Sequence, residues 1–373
     1  MRKKAGNGGT LTEQDSAKAK NGTNAAEITV SVLVPIYNTE AYLRQALDSL
    51  RAQTLSNFEV VCINDGSTDS SRQIIQEYLD ADARFRVIDK PNSGYGASMN
   101  CGLAEAVGKY IAVLEPDDFF EPNALELLVG AAEENNAEVA KANYWFYWSS
   151  PEPRYQLISV VKPHMANHLF SPQVEMDVYL TIPSIWSAVY RRSFLQKNGI
   201  GFLETPGASF QDLGFTFKVW AHATRVFMFE QPILHYRQDN EASSVNNPDK
   251  AFCVCSELEE IKRVTATLPN AAQLKPVLYR FEYDNYLWNF QRLAPALRHE
   301  FLPYMVEKLR EGKAAGAYDP AWFGSWQQKN LQLVLENPSK FEKIYPSKPT
   351  KLAKAWYYLR LAGPKALLDI ARR

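Results

Sequence analysis

The chain lacks several features that would place it outside ordinary globular proteins. Its four cysteines are too few and too irregularly spaced for a disulfide framework, and Cys253 and Cys255 have no second pair at zinc-site spacing. No stretch reaches the ~18 consecutive apolar residues of a membrane-spanning helix. The polar start also has no apolar segment of a secretory signal. We therefore expect reduced thiols in a protein of the cytoplasm.

A surplus of charge of one sign is missing as well. Lys and Arg total 41 against 42 Asp and Glu, a formal charge of −1, so no overall field favours nucleic acid as a partner. Hydrophobic residues make up 46% of the chain, which is typical of globular proteins and not of disordered or collagen-like ones. A length of 373 residues favours two domains, or one large α/β domain with an extension.

Short apolar runs alternate with amphipathic segments from Ile28 onward, after a polar stretch that we expect to be a disordered leader, residues 1–27. The runs predicted to be buried parallel strands cover residues 28–36, 58–63, 84–88 and 110–114. The segments predicted to be helices cover residues 40–53, 70–79, 97–106 and 123–135. This alternation indicates an α/β fold with a doubly wound, mostly parallel sheet.

The regular alternation ends in the aromatic run Tyr144–Trp148, and a proline-rich stretch follows it. Further apolar segments lead to His235 and Arg237, beyond which the pattern is almost wholly helical. We therefore expect a domain over residues 28–245, divided near residue 148, and a helical C-terminal region over residues 246–373.

Polar residues follow each predicted strand, at the edge of the sheet where open α/β folds bind ligands. These residues fall in four loops, at 35–38, 64–69, 89–96 and 115–118. The carboxyl ends of parallel strands meet at one edge of a sheet, so we expect the four loops to face a single crevice.

The fourth loop holds Glu115, Asp117 and Asp118 within four residues. Such carboxylates raise one another's pKa unless a cation lies among them. Oxygen ligands favour Mg²⁺ or Mn²⁺, which take their remaining ligands from a substrate diphosphate and water. The alternative is an acidic turn in which Asp118 caps the helix that begins near Pro122.

The second loop places Asp65 directly after a buried strand. Its carboxylate could accept the imide N–H of a uracil base, while Tyr37 offers a ring face for stacking. The alternative is a simple turn in which Ser67 or Thr68 caps the next helix.

Other nucleotide-binding and hydrolase motifs are incomplete. The third loop lacks the third glycine of the dinucleotide fingerprint, which disfavours a nicotinamide dehydrogenase. Neither the Walker A pattern nor G-x-S-x-G occurs in the sequence.

A family resemblance is carried by two segments, VSVLVPIYNTEAYLRQALDSLRAQTLSNFEVVCINDGSTDSS and NSGYGASMNCGLAEAVGKYIAVLEPDDF. They resemble the nucleotide-sugar-binding half of family-two glycosyltransferases, enzymes of the GT-A fold. The resemblance covers residues 28–148 and extends more weakly to about residue 245, which implies that residues 28–148 bind the nucleotide sugar and 149–245 form the acceptor side. It implies inverting transfer, in which a metal holds the donor diphosphate and a later carboxylate deprotonates the acceptor hydroxyl.

Position by position, the resemblance assigns Pro35, Tyr37 and Asp65 to the uridine of a UDP-sugar. Glu115 and Asp117 stand at the family's Asp-x-Asp motif. The resemblance therefore implies Asp117 as the ligand of Mn²⁺ or Mg²⁺. Glu115 replaces the first aspartate of the motif, and its longer side chain would reach the ribose or a metal-bound water.

The family's Glu-Asp motif near the acceptor appears here as Gln211 and Asp212. Gln211 cannot accept a proton as a base, so the resemblance leaves Asp212 as the general base. The apolar neighbours Phe210 and Leu213 favour a raised pKa for the Asp212 carboxyl, which would make it a better base. The alternative is an aspartate that caps a helix beginning near Leu213.

Three further residues have two interpretations each. Arg237 either reaches the donor diphosphate, as the resemblance implies, or forms a surface ion pair. His235 is either a metal ligand or a packed histidine, and packing is the favoured interpretation. Trp186, with the Tyr144–Trp148 run, either stacks on the acceptor sugar or belongs to the core.

Residues 348–373 are basic and amphipathic, with interleaved residues such as Leu352 and Trp356. A segment of this kind lies on an anionic bilayer or docks on the catalytic domain with a solvated basic face. Membrane contact at the inner face of the cell membrane would make a lipid-linked glycan the natural acceptor, as in the bacterial surface-polysaccharide assembly that many relatives serve.

The sequence therefore favours a metal-dependent inverting glycosyltransferase that uses a UDP-sugar. The joint presence of Asp65, Asp117 and Asp212 argues for an enzyme over the alternative, a catalytically silent nucleotide-sugar or glycan-binding scaffold. A sugar-phosphate nucleotidyltransferase is disfavoured because the first loop lacks the glycine-rich, basic character that a triphosphate needs.

Overall fold

The computed structural model describes residues 27–240, 251–346 and 350–363. Apart from Glu27, the expected leader lies outside the described residues, and so does the predicted domain boundary at residues 245 and 246.

The strands form one mixed sheet and are, in chain order, β1 (Val30–Ile36), β2 (Phe58–Asn64), β3 (Phe85–Asp89), β4 (Tyr110–Val113), β5 (Phe119–Phe120), β6 (Val139–Trp148), β7 (Arg154–Ile158), β8 (Leu169–Phe170), β9 (Ala188–Arg191) and β10 (Val226–Arg237). Their spatial order is β3-β2-β1-β4-β9-β6-β10-β5, with β7 also paired to β6 and β8 to β10. The pairs among β1 to β4 are parallel, as is β6 with β10. The structure thus confirms the α/β fold predicted from the sequence, while β9 joins the two parallel parts through antiparallel pairs.

The helices that surround the sheet are α1 (Glu40–Arg51), α2 (Ser71–Ala81), α3 (Tyr95–Glu105), α4 (Ala124–Glu134), α5 (Arg192–Lys197) and α6 (Gln211–His222). The C-terminal helices are α7 (Cys253–Thr265), α8 (Ala271–Arg292), α9 (Pro295–Ala314), α10 (Ser325–Glu336), α11 (Pro338–Ile344) and α12 (Lys351–Ala362). The first four strands and helices begin and end within about two residues of the predicted bounds.

Burial explains why these segments form the elements that they do. Every residue of β1 and β2 is buried, as expected for strands covered by helices on both faces. Helix α1 is amphipathic instead, and it buries Leu43, Leu47 and Leu50 on one stripe. The sheet therefore forms the core, and the polar strand ends are left at its edge.

The described C-terminal residues form helices joined by loops, and α7 packs against α6. All four cysteines are free thiols, as predicted. None of the described helices combines the length and the apolar character that a membrane crossing requires.

Candidate active site

The end of β2 holds Asp65 in a buried position, 4% exposed. Its carboxylate accepts hydrogen bonds from the backbone N–H groups of Ser93 and Gly94, at 2.9 and 3.0 Å, and it pairs with the ammonium of Lys90. The second and third loops are therefore joined through one carboxylate. A simple turn needs no such contacts, and Oδ2 still has capacity for a further donor.

Two more predicted uridine residues lie at the end of β1. Pro35 is buried in β1, where it pairs with Ile63 of β2. Tyr37, two residues later, is 50% exposed. An exposed ring next to the Asp65 loop leaves a face for a base to stack on. The assignment of these residues to uridine remains a prediction.

The fourth loop presents its acidic residues in three different environments. Glu115 is half-buried and accepts a hydrogen bond from the hydroxyl of Tyr95 at 2.6 Å. Asp117 is half-buried, and its Oδ2 accepts from the side-chain amide of Asn240 at 2.8 Å. Asp118 is fully buried and accepts from the backbone N–H of Arg237 at 2.9 Å.

The helix-capping interpretation of Asp118 is wrong. Helix α4 begins at Ala124 after Asn123, and the side chain that accepts from its first turn is Gln53, which takes the N–H of Leu125 at 3.0 Å. Asp118 instead connects the fourth loop to the end of β10, because a buried carboxylate needs a donor and Arg237 supplies one.

Asp212 is the second residue of α6, which begins two residues earlier than predicted. Its half-buried carboxylate accepts from the N–H of Leu213 at 2.9 Å, a contact within the first turn. The preceding Gln211 is buried, accepts from the N–H of Ser209 and donates to the hydroxyl of Thr205 at 2.9 Å. Gln211 therefore holds the loop that leads into α6. The carboxylate of Asp212 takes no part in the hydrogen bonds of Gln211.

Burial raises the pKa of Asp212 to about 6. Burial also raises the pKa of Glu115 to about 8, and the charges of Asp117 and Asp212 add to this effect although the Tyr95 hydrogen bond opposes it. Burial and the neighbouring charge of Asp117 likewise hold the pKa of Asp118 well above its ordinary value. The site therefore carries more acidic groups than it can ionise together without a cation.

The structure brings the donor-side and acceptor-side carboxylates together. Glu115 lies within electrostatic reach of both Asp117 and Asp212, since each raises its pKa. Tyr95 forms a physical link as well: its hydroxyl donates to Glu115, and its N–H donates to the carbonyl of Gly207 at 3.0 Å. The fourth loop and the loop that leads into α6 are thus neighbours, joined through Tyr95.

Arg237 is 5% exposed, so the surface ion-pair interpretation is wrong. Its guanidinium lies between the rings of Tyr42 and Tyr147, at 4.6 and 5.0 Å from their centroids, and its Nε donates to the carbonyl of Asp117 at 3.0 Å. Further contacts reach Asp239 at 3.5 Å. Arg237 therefore braces the Asp117 loop, and its predicted contact with a diphosphate stays a prediction.

His235 is a packed histidine. Its ring stacks on Phe119 at 4.3 Å and 11°, and its Nε2 lies 2.9 Å from a carboxylate oxygen of Glu121. The alternative role as a metal ligand therefore has no support in the geometry.

Trp186 lies in a 3₁₀ turn, Ile185–Ser187, just before β9, and it is 8% exposed. Its ring contacts Tyr144 at 4.4 Å and Tyr236 at 5.0 Å. Burial raises the pKa of Tyr236, and the charges of Asp117 and Asp212 raise it further. Trp186 therefore belongs mostly to the core. One of its neighbours, Tyr236, lies near the carboxylates.

Sequence reasoning missed Tyr95, Asn240 and Tyr236 as members of the site. Tyr95 is the first residue of α3, and a polar aromatic residue between Gly94 and Gly96 is the signal that the sequence offers for it. Asn240 and Tyr236 had no signal of their own, because their contacts depend on where β10 ends relative to the fourth loop.

The oxygen donors beside Asp117 fit a divalent cation. Asp117 keeps Oδ1 without a hydrogen bond among the described residues, and it stands next to carboxyls whose pKa values are raised by burial and, to a lesser extent, by neighbouring charges. Mg²⁺ and Mn²⁺ need only one or two protein carboxylates when a diphosphate supplies the rest.

Another set of potential ligands lies elsewhere in the described residues. Atoms of His164, Glu175 and Asp177 lie within 4.8 Å of one another. The ammonium of Lys162 lies 2.7 Å from Asp177, however, and already neutralises that carboxylate. This cluster is therefore satisfied without a metal.

Comparison with known proteins gives a family and a fold. The profile of Glycosyl transferase family 2 matches residues 31–199. The putative glycosyltransferase EpsH of Bacillus subtilis is 34% identical over 210 residues, which are 56% of this chain and 60% of EpsH. The chain thus spans about three fifths of the length of this curated relative.

Two solved structures share the fold. S. aureus TarS, solved with UDP, superposes with a TM-score of 0.65 at 20% identity, over 85% of this chain and 91% of that one. A further TarS structure contains UDP-GlcNAc. The mannosyltransferase PcManGT from Pyrobaculum calidifontis, in complex with GDP-Man and Mn²⁺, gives a TM-score of 0.50 at 17% identity, over 91% of this chain and 87% of that one.

Proposed function

The chain belongs to glycosyl transferase family 2 through residues 31–199, and we propose that it transfers a sugar from a nucleotide donor to an acceptor hydroxyl with inversion at the anomeric carbon. The observation that carries this proposal is the link made by Tyr95, whose hydroxyl donates to Glu115 in the loop of Asp117 and whose N–H donates to Gly207 in the loop that leads to Asp212. Inverting displacement needs the leaving group and the base on opposite sides of one sugar, and we assign Asp117 to the leaving-group side and Asp212 to the base.

Asp117 is the proposed protein ligand of Mn²⁺ or Mg²⁺. A bound divalent cation would neutralise charge that develops on the departing nucleotide diphosphate. Asn240 and the brace from Arg237 hold the Asp117 loop in place, through a side-chain amide on Oδ2 and a guanidinium on the main-chain carbonyl. Mn²⁺ in the complex of PcManGT is consistent with this assignment.

Asp65 and Tyr37 are the proposed uridine contacts, with Pro35 shaping the strand end beneath them. The Oδ2 atom of Asp65 accepts from Gly94 and can accept from one more N–H, such as the imide of uracil. The presence of UDP and UDP-GlcNAc in structures of TarS supports a uridine nucleotide.

Asp212 is the proposed general base. A carboxyl with a pKa of about 6 is mostly ionised at neutral pH and is a stronger proton acceptor than an ordinary aspartate. It takes the proton of the acceptor hydroxyl as that oxygen attacks the anomeric carbon, while the bond from that carbon to the diphosphate breaks. Trp186 forms part of the proposed acceptor side.

A glycan or lipid-linked acceptor of cell-surface polysaccharide synthesis is proposed by analogy with the relatives. Helix α12 exposes Leu352 by 82% and Trp356 by 69%, one turn apart, with the exposed Arg360 on the same stripe. Its other side docks on the C-terminal helices, where Tyr357 donates to Asn330. Exposed apolar residues beside a basic one fit the interface of an anionic bilayer, where the protein would act from the cytoplasmic face. Residues 348–349 and 364–373 of the predicted basic segment lie outside the described residues.

The test is a thermal-shift panel of UDP-, GDP- and dTDP-sugars with and without Mn²⁺, followed by an assay for nucleotide release. We expect a uridine nucleotide to stabilise the protein in the presence of Mn²⁺, the shift to weaken in Asp65→Ala, and UDP to be released from one UDP-sugar. Nucleotide binding without release from any donor, with or without cell-envelope glycolipids, would support the silent scaffold. Indifference to every nucleotide would contradict both.

A further inference from the structure

One face of the strands β6, β7 and β10 carries a continuous row of aromatic rings that leads away from the carboxylates. Side chains alternate along a strand, so Tyr144, Phe146 and Trp148 share one face of β6. Tyr236 is the register partner of Phe146 on β10, and it lies on that face too. We call this row, together with Trp186, the aromatic face.

The rings follow one another at short and similar steps. The centroid of Trp186 lies 5.0 Å from that of Tyr236, Tyr236 lies 5.8 Å from Phe146, and Phe146 lies 6.1 Å from Trp148. Each step is comparable with the length of one pyranose residue in a chain. The row therefore has the spacing to contact successive sugars.

The outer part of the aromatic face is open. Phe146, Trp148 and Tyr236 are half-buried, whereas Tyr144 and Trp186 at the inner end are buried. Among the described residues, the ring contacts of Trp148 are with Phe146 and with the guanidinium of Arg154, 4.1 Å from the Trp148 ring. A contiguous row of partly exposed rings with polar residues beside it is the kind of surface that marks a binding site.

Polar side chains accompany the rings on the same face. β7 pairs Gln156 with Phe146 and Arg154 with Trp148, and both polar residues are exposed. Amide and guanidinium groups beside ring faces supply the hydrogen bonds that sugar hydroxyls need, while the rings take the apolar C–H faces of the sugars. This combination fits a glycan better than a purely apolar partner.

The opposite face of the same strands has a different character. There Tyr147 and His235 pack with Phe119, and Arg237 braces the Asp117 loop. Tyr147, His235 and Arg237 are buried, and the exposed Tyr155 packs on Tyr147 and His235, so the open rings of this face do not lead to Trp186. The strands β6, β7 and β10 thus turn one face to the loop of Asp117 and the other, the aromatic face, to Trp186.

We propose that the aromatic face is an extended acceptor subsite, which binds a glycan chain of several sugar residues with its reactive end at Trp186 and its far end at Trp148. This inference rests on the proposed function and deepens it, because it names the acceptor as an oligosaccharide and not a single sugar or a small alcohol. The continuity from Tyr236, beside the carboxylates, to Trp148 at the end of β6 gives the direction of the chain.

The experiment measures binding of the whole chain to an immobilised array of bacterial surface-glycan fragments from one to six sugar residues. We expect signal that grows with fragment length. Phe146→Ala and Trp148→Ala should each weaken binding of the longer fragments about tenfold, as loss of a central aromatic contact does. Gln156→Ala, a surface change with no packing role, should weaken the same fragments by a smaller factor.

Tyr155→Ala is the matched control, because Tyr155 is exposed on the same hairpin but on the opposite face. It should leave glycan binding unchanged, and all variants should keep the circular-dichroism spectrum of the parent. The proposal is overturned by absence of binding to every fragment, by equal binding of the Trp148→Ala protein, or by an equal loss in Tyr155→Ala. Release of UDP from a UDP-sugar separates the two ideas: it survives if this inference alone fails, and it is absent if the proposed function fails.

Discussion

The donor side and the acceptor side of the crevice hold their functional groups in different ways. On the donor side, Asp65 already accepts two backbone N–H groups and pairs with Lys90, and Asp117 accepts from Asn240. On the acceptor side, Asp212 accepts one N–H of its own helix turn, and the rings beyond Tyr236 stay half-open.

This difference separates binding from reactivity. A carboxylate held by several donors, as Asp65 is, keeps a fixed position for a nucleotide. A carboxyl that burial leaves with few donors has a raised pKa and a capacity for protons. Changes on the donor side should therefore weaken nucleotide binding or remove its dependence on the metal, and changes on the acceptor side should spare that binding and alter the chemistry.

The largest effect is expected for Asp117→Ala on the donor side. Loss of the metal ligand should lower nucleotide release about 10⁴-fold, since a bound cation supplies several kcal/mol of transition-state stabilisation. The thermal shift by UDP should also become independent of Mn²⁺. Asp80→Asn, an exposed change on α2, is the matched control and should behave as the parent. An unchanged response to Mn²⁺ in Asp117→Ala would remove Asp117 from the metal site.

Asp212→Asn on the acceptor side should lower the rate about 10³-fold, within the usual contribution of a general base. The thermal shift by UDP with Mn²⁺ should stay at the parental value, because the asparagine has nearly the same shape and lies across the crevice. A variant that loses nucleotide binding together with activity would break the comparison between the two sides.

The pH dependence of the parent protein's activity should report the pKa of Asp212, the proposed base. The pKa of Asp212 is raised to about 6, so the carboxylate is protonated and inactive below that pH. Activity should therefore rise with pH through about 6, and at one unit below it should fall to about a tenth of its plateau. The residual activity of Asp212→Asn should lack this acid limb. Should the variant retain the limb, another group would be the base.

A smaller effect is expected on the stability of the protein, from two carboxyls outside the proposed site, one with hydrogen-bond partners and one without any in the part of the chain that the structure describes. Glu59 on β2 is buried, but hydrogen bonds from Arg86, Ser31 and the N–H of Val107 outweigh that burial and lower its pKa. Glu257 on α7 is fully buried, and neither of its oxygens has a partner among the described residues. Burial, opposed by the charge of Lys218 and aided by that of Asp212, raises the pKa of Glu257 to about 8.

The two carboxyls should respond oppositely to neutral replacement. Because the folded pKa of Glu257 lies above its ordinary value of 4.5, the parent loses stability as the pH rises from about 4.5 to 8. Glu257→Gln should remove that loss, worth roughly 4 kcal/mol in the free energy of unfolding at pH 8 relative to pH 4.

For Glu59 the lowered pKa contributes stability above its ordinary pKa that is lost as the pH falls. Glu59→Gln should therefore cost about 2 kcal/mol at neutral pH, because it weakens hydrogen bonds to a charged partner. Urea denaturation of both variants at acidic and alkaline pH measures each value. Equal and parallel pH profiles would show that the two carboxyls do not differ in their partners.

The sequence alone predicted the parts of the fold that depend on local pattern. Continuous Val and Ile runs such as residues 30–36 have one stable outcome, a strand buried on both faces, and the intervening segments have helical period. The polar residues Asp65 and Asp117 follow such runs directly, so their place at the edge of the sheet follows from strand direction. The family resemblance is confirmed over residues 31–199.

Beyond residue 148 the local pattern is weaker, and the outcome depends on long-range pairing. Sequence reasoning placed no partner beside Arg237, since Tyr42 and Asp117 come from distant elements. Most rings of the aromatic face come from one aromatic run in β6, which pairs with β7. Side chains of this run alternate between the two faces of the sheet, and which face each one takes is known only from the register with β10.

The sequence by itself determined the α/β alternation, the family and the acidic groups at the strand ends, because each of these depends on residues that are neighbours in the chain. Only the tertiary structure decided which carboxyls are crowded, which rings stay open and how Tyr95 links Glu115 to the loop before Asp212. Burial and hydrogen-bond partners are set by elements that approach from far along the chain, and they control pKa and exposure more strongly than residue type does.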